Sequence, residues 1–183
     1  MRVLIIYADG FEDVEALATR DVLVRAGFEV YDAKINDDEQ LVVSSHKIAL
    51  SGFKSLNNID INSFDAVIIP GGSRGVNNLL NSTKTIEIVK KAYNLNKYVC
   101  AICAGPMVLS KAGVLVNHTF TCYPGCEEGL LGTYTGKEVE VSDKIITARS
   151  MMFSIPFGLK IIEILDSKKL SDRIYCQISG LKY

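Results

Sequence analysis

Of five cysteines in the 183-residue chain, at 100, 103, 122, 126 and 176, Cys103 occupies the position from which a thiol can do chemistry. It follows a short apolar run, YVCAI (98–102), and precedes Ala104-Gly105-Pro106, after which helical spacing sets in to about 112. A buried strand that turns sharply into a helix lifts the side chain at the turn into open space, as in the nucleophile elbow of hydrolases. The free N–H groups and positive potential of a helix start favour thiolate over thiol. The plainer alternative is a small buried hydrophobe.

Three segments follow predicted parallel strands and therefore open on one edge of the sheet: ADGFEDVE (8–15), PGGSRG (70–75) and CAGP (103–106). The first carries Glu12, Asp13 and Glu15, and spacing does not choose among them. Glu15 is expected on the side of Val14 and Ala18, toward the sheet. A carboxyl buried there keeps its proton and can donate a hydrogen bond to a thiolate; a solvated first-turn acid is the other reading. The second segment offers backbone without side chains. Gly72 N–H and Ala104 N–H can face one point near the sulfur, as two donors of an oxyanion hole. An ordinary tight turn explains the glycines equally simply.

Other candidates are weaker. Cys100 and Cys103 form a CxxC, but a redox dithiol starts at a helix N-terminus, and Cys100 is predicted inside a strand. Cys122 and Cys126 flank the turn Tyr123-Pro124-Gly125. His118, on a predicted strand, is an accessory base candidate for Cys103 without local support. No Cys/His set has zinc spacing, so no metal is expected. PGGSRG fits neither the P-loop nor the dinucleotide fingerprint.

The elements that must position these residues alternate. RVLIIYA (2–8), FEVYDAK (28–34), DAVIIPGG (65–72) and YVCAI (98–102) read as buried strands. Helices are predicted at 12–26, closed by Gly27, at 83–93, at about 105–112 and at about 154–166, with another possible from 168. Residues 41–44 and 47–50 read as a hairpin at the sheet edge; 118–121, 138–143 and 144–149 read as further strands. The first βαβ unit dictates a parallel sheet with a right-handed crossover. The expected fold is α/β: a flavodoxin-like doubly wound sandwich, one domain over 1–183, with a mostly parallel central sheet and helices on both faces.

Composition narrows the partners. Lys and Arg number 20 against 21 Asp and Glu, a net charge of −1 that lacks the footprint of a nucleic-acid binder. No apolar run approaches the roughly 18 residues of a membrane span. The start, MRVLIIYADGFED, does not read as a signal peptide, and an odd cysteine count is no disulfide framework, so a cytoplasmic location is expected.

The motifs ADGFEDVE, PGG, AICAGP and TCYPG, in this order, resemble the ThiJ/PfpI superfamily over about residues 2–165. Within it they resemble the branch of the parkinsonism-linked protein deglycase and its bacterial ThiJ-type relatives. The resemblance implies a flavodoxin-like fold and a homodimer. It matches Cys103 to the family's nucleophile, selects Glu15 as its protonated partner, and assigns Gly72 and Ala104 as oxyanion donors. Asp21 and Arg25 fall on its dimer contact; read alone, they are an i,i+4 helix ion pair worth about a few tenths of a kcal/mol.

The chain departs from the pattern at three places. Ala104 stands where protease-like members carry histidine, so no protease triad forms there. Tyr123 stands where the deglycase branch often has histidine, and a tyrosine is a poor base near neutrality. Ser150-Met151-Met152-Phe153 follows Arg149 where the family often has Gly-Pro-Gly-Thr, which alters the pocket rim. Tyr123, His118 and Arg149 are therefore accessory candidates only. The implied activity is cofactor-free, cysteine-dependent chemistry on 2-oxoaldehydes such as methylglyoxal, of glyoxalase III or deglycase type, with a small aldehyde or glycated group as partner. The alternatives are an oxidative-stress sensor that works by oxidation of Cys103, and an amidotransferase-like hydrolase, which the missing histidine weakens.

Overall fold

The computed structural model describes all residues, 1–183. Strand β1 (Arg2–Tyr7) shows why the sheet lies in the middle. From Val3 on it is wholly buried, and its side chains alternate between two cores, Leu4 and Ile6 in one, Val3, Ile5 and Tyr7 in the other. The two cores hold 25 and 20 buried residues, so both faces of the sheet are covered to a similar depth.

The elements continue as α1 (Asp13–Arg25), β2 (Glu29–Lys34), β3 (Val42–Val43), β4 (Ala49–Leu50), β5 (Lys54–Ser55), β6 (Ala66–Ile69), α2 (Ser73–Asn81), α3 (Thr83–Asn94) and β7 (Tyr98–Ile102). Then come α4 (Pro106–Lys111), β8 (Thr119–Phe120), β9 (Thr133–Tyr134), β10 (Val139–Ser142), β11 (Ile145–Ala148), α5 (Ser154–Leu165) and α6 (Lys168–Ser179). Seven strands make the central sheet in the order β10-β11-β7-β6-β1-β2-β5. All pairs are parallel except β10 with β11. Helices α1, α5 and α6 bury Val22, Phe157 and Ile174 on one face; α2, α3 and α4 bury Leu79, Val89 and Leu109 on the other. This is the mostly parallel α/β sandwich that the sequence predicts.

Three details differ from the sequence reading. PGGSRG is not simply a loop: helix α2 begins at Ser73, with Gly72 (φ 95°) as its N-cap. One glycine and three asparagines within it hide this helix from propensity. Packing selects it, because Val76 and Leu79 enter the core and Gly75 lies against the backbone of Phe11, where a Cβ would come 2.7 Å from the Phe11 nitrogen. The 41–50 hairpin is not the sheet edge either. It forms its own two-stranded sheet, and β5 is the edge, paired to β2 through Ala33–Lys54 and Lys34–Ser55. The hairpin instead braces the 8–12 loop: Gly10 N–H donates to Val43 C=O (2.7 Å), Val43 N–H to the Asp9 carboxylate (2.8 Å), and Ser45 N–H to Phe11 C=O (2.8 Å). Finally, the strand expected at 118–121 is short and pairs with β9 outside the main sheet.

Candidate active site around Cys103 and Glu15

Cys103 follows β7 directly and has φ +61°, the left-handed region that a non-glycine residue enters at a cost of roughly 1–3 kcal/mol. Three hydrogen bonds fix the turn. Cys103 N–H donates to Ala148 C=O (2.9 Å), Tyr123 N–H donates to Cys103 C=O (2.9 Å), and Gly105 N–H donates to Ile102 C=O (2.9 Å). Gly105 is required, since a Cβ there would lie 2.7 Å from the Ile69 carbonyl oxygen. The elbow is therefore real, and it leaves the Cys103 side chain half-buried.

Glu15 sits in the first turn of α1. Glu12 is the N-cap, its carboxylate accepting from Glu15 N–H (2.9 Å), and Asp13 turns to His46. Glu15 is the most deeply buried of the three, 1% exposed against 8% for Asp13. The buried stripe of α1 runs through Glu15, Ala16, Thr19, Val22 and Leu23, whereas Val14 is 45% exposed. The side expected for Glu15 is right, but the neighbours named for it, Val14 and Ala18, are not the ones it shares.

Gly71, which the sequence reading passed over in favour of Gly72, joins the two groups. A Cβ on Gly71 would overlap Glu15 Oε2 and come within 2.7 Å of Cys103 Cβ, so carboxyl and thiol converge on one bare Cα. Glu15 Oε2 is buried and has no hydrogen-bond partner of its own. The Glu15 carboxyl and the Cys103 thiol nonetheless interact directly as hydrogen-bond partners.

The electrostatics follow from burial. Burial pushes Glu15 from its usual 4.5 up to about 7, against the Cys103 thiol and the nearby Gly71 and Met151 amides, which favour the carboxylate. Burial also pushes Cys103 up, and the Glu15 charge adds to it, while the Ala104 amide pulls the other way. The depression expected from a helix start is not found, because burial and the Glu15 charge outweigh the Ala104 amide. The two groups titrate as a pair. Below about 7 the pair is neutral; above it the single negative charge rests chiefly on the Glu15 carboxylate, because burial and that charge hold the Cys103 thiol far higher. The sulfur then carries that charge only with the proton on Glu15, which replaces a like-charge repulsion with a donated hydrogen bond.

Ala104 N–H and Gly72 N–H have no oxygen acceptor elsewhere in the chain. The former faces the sulfur. Gly72 is tightly held, a Cβ there meeting the Glu12 nitrogen at 2.6 Å.

The accessory candidates divide. Tyr123 is brought beside Cys103 by its backbone, with its ring 51% exposed. Arg149 follows the strand that anchors the elbow, but its guanidinium is committed to Gly136 C=O (2.9 Å) and stacks over Phe153 at 4.8 Å. Next to it, Met151–Phe153 form a short 3-10 turn whose Met151 amide faces Glu15, a contribution no side-chain motif announces. His118 is a correction. Its ring nitrogens contact Tyr93 Oη (2.7 Å) and Ser142 Oγ (3.1 Å), so it is spent as a packing hydrogen-bond group and is no base for Cys103. Cys100 is fully buried and burial pushes its pKa up, so the CxxC is not an accessible dithiol. Cys122, also fully buried, is pushed up to about 12, again by burial first. Cys126 is half-buried and close enough to act on both Cys103 and Cys122.

His46, Asp13 and Glu12 group at the rim, with donor atoms all within 4.8 Å. They are engaged with one another and with Ser45: His46 Nδ1 lies 2.7 Å from Asp13 Oδ2, Ser45 Oγ donates to the same oxygen (3.2 Å), and Glu12 caps the helix. No helix is long and apolar enough to cross a membrane.

Comparison with known proteins fits this geometry. Dj-1beta of Drosophila melanogaster is 33% identical over 91% of this chain and 90% of its own length. A deglycase of Pyrococcus abyssi is 33% identical over 81% of this chain and 90% of its own. Among solved structures, Toxoplasma gondii DJ-1, in an oxidized form, superposes with a TM-score of 0.91 at 30% identity, covering 100% of this chain and 99% of that one. The DJ-1/PfpI family model matches residues 1–164, and the chain belongs to that family.

Proposed function

We propose that the protein is a cysteine-dependent enzyme that converts 2-oxoaldehydes such as methylglyoxal to 2-hydroxy acids, in the manner of a glyoxalase III or deglycase. The observation that carries this reading is the convergence of a buried, otherwise unpartnered Glu15 Oε2 and the Cys103 side chain on Gly71. Relatives named deglycase support the substrate class.

The steps use only groups of this chain and water. The reactive form of the pair is reached by proton transfer from the Cys103 thiol to the Glu15 carboxylate, which puts the charge on Cys103 Sγ and the proton on Glu15. Sulfur attacks the aldehyde carbon, a C–S bond forms, and the carbonyl π pair moves to oxygen, where Ala104 and Gly72 N–H groups receive it. Glu15 gives that oxygen its proton, completing a hemithioacetal, and is left as carboxylate. The carboxylate takes the proton from the same carbon while the adjacent ketone oxygen gains a proton from water, giving an enediol. Glu15 then returns its proton to the adjacent carbon as the hydroxyl on the sulfur-bearing carbon gives its proton back to water, leaving a 2-hydroxyacyl thioester. Water cleaves the thioester, releasing the acid and restoring the pair. Tyr123, half-exposed, is held beside Cys103 through its backbone.

Lactate formation from methylglyoxal by the natural chain, Cys103→Ser and Glu15→Gln tests the proposal. Turnover in the first and its loss in both variants is expected; no turnover by the natural chain overturns it. A homodimer is part of the proposal, supported by the exposed apolar Val14, Met152 and Ile155, the last of which shares a groove with the Asp21–Arg25 pair, and light scattering checks it.

A second reading is supported by the half-buried sulfur and by the oxidized form of the Toxoplasma relative. Cys103 would be oxidised by peroxide to sulfinate, with the protonated Glu15 as hydrogen-bond donor to it. A mass gain of two oxygens confined to Cys103, without aldehyde turnover, distinguishes this role.

A further inference from the structure

A cavity of about 430 Å³ opens at the carboxyl ends of β1 and β2, and neither Cys103 nor Glu15 lines it. Four charged side chains do, two of each sign: Lys34, Arg74, Asp9 and Glu39. No member of this set forms an ion pair with any group of the chain. Lys34 is only 7% exposed, and its ammonium donates solely to the Asn36 carbonyl. The Arg74 guanidinium has no acceptor, although its stem is fixed against Gly10, where a Cβ would meet Arg74 Cβ at 2.5 Å. Asp9 is held in place, one carboxylate oxygen accepting from Val43 N–H (2.8 Å) and its carbonyl accepting from the Asn78 amide (2.8 Å).

Asp37, outside the cavity lining, acts on Lys34 from a distance but forms no ion pair with it, and a nearly buried ammonium is costly unless a closer partner balances it. Here opposite charges surround one space without meeting across it. A simple anion would satisfy Lys34 and Arg74 and be repelled by Asp9 and Glu39; a simple cation would do the reverse. A ligand carrying both signs a few bonds apart satisfies all four. The place is apt as well, since doubly wound sheets bind ligands outside the carboxyl ends of strands near the switch in strand order, here beside β1. We propose that this cavity binds a free α-amino acid, its carboxylate toward Lys34 and Arg74 and its ammonium toward Asp9 and Glu39. This site is separate from the chemistry assigned to Cys103.

Calorimetric titration of the full chain with L-alanine and L-serine tests it, with propionate and ethylamine as the two half-ligands. Saturable binding with Kd of about 1 mM or tighter is expected for the amino acids, at least about tenfold tighter than for either half. Lys34→Met and Asp9→Asn should each weaken it about tenfold or more, and Cys103→Ser should leave it unchanged. Arg74→Gln, at an exposed position, carries the test if Lys34→Met fails to fold. No saturation at about 10 mM, half-ligands that bind as well as the amino acids, or Asp9→Asn and Arg74→Gln chains that bind as before would overturn the proposal.

Discussion

Two carboxyls in the first turn of α1, two residues apart, meet opposite fates. Asp13 and Glu15 are both buried, 8% and 1% exposed, so burial alone raises both. Asp13 nevertheless lies below its usual value, because the burial cost is outweighed by hydrogen bonds from Ser44, His46 and Ser45. Glu15 lies deeper beneath protein atoms, faces fewer donors, and rises to about 7. Low surface exposure alone therefore does not decide a carboxyl's role. Depth of burial set against the supply of donors does: Asp13, near the surface, is held as a structural carboxylate by the 44–46 segment, while Glu15 is left to exchange a proton with Cys103.

The largest effects should come from breaking the Glu15 side of this contrast. Cys103→Ser should abolish lactate formation by at least about 10³-fold, and Glu15→Gln should lower it by about 10²–10⁴-fold. A Glu15→Gln chain as active as the natural one would reduce Glu15 to a buried structural acid. The activity of the natural chain should rise with pH through about 7, as the pair gains its single charge, and that midpoint should vanish in the variant. Gly71→Ala comes next. Its methyl would occupy the space between Glu15 Oε2 and Cys103 Cβ, costing about 1–3 kcal/mol from overpacking. Displacing the reacting groups should cost about 10²-fold in rate. Normal rates in that variant would show that the two groups need not meet over Gly71.

Stability sharpens the same contrast without a substrate. The folded pKa of Glu15 is raised, so the folded state binds its proton more tightly than the unfolded chain does. Stability from this group is complete below about 4.5 and is lost as pH rises toward about 7. At pH 8 the buried charge costs up to about 3 kcal/mol. Urea unfolding should therefore find Glu15→Gln more stable than the natural chain by up to that amount at pH 8, and no more stable at pH 4. Equal gains at both pH values would mean that the charge is not the cause.

Much of this was legible in the residues. Continuous apolar runs gave the parallel strands, because a strand covered on both faces cannot alternate. The elbow was legible because strand, Cys-Ala-Gly-Pro and helix follow one another without a spacer. What stayed hidden depends on tertiary contact. Helix α2 lacks propensity and is selected by the fit of Gly75 against Phe11. The choice of Glu15 over Glu12 and Asp13 needed the resemblance, since periodicity had named the wrong helical neighbours. Gly71 and the Met151 amide act through backbone position, which no motif encodes. The direction of the Cys103 shift was misjudged because a turn suggests a helix start, whereas burial and the facing carboxyl outweigh the Ala104 amide.

The smallest expected effect lies on the Asp13 side and runs with the opposite sign. A depressed pKa gives stability that is present above the unfolded value and lost as pH falls through the folded one. Asp13→Asn should thus destabilise the chain at neutral pH and lose its effect in acid, the reverse of Glu15→Gln. The magnitude is limited by the partner. His46 is 72% exposed in its side chain, so water and salt screen the pair, and about 1 kcal/mol or less is expected. Removing His46 alone should do still less, because Ser44 and Ser45 continue to donate. A chain in which Asp13→Asn raised stability at neutral pH would place this carboxyl in the same class as Glu15, and the distinction between donor-rich and donor-poor acids on one helical turn would fail.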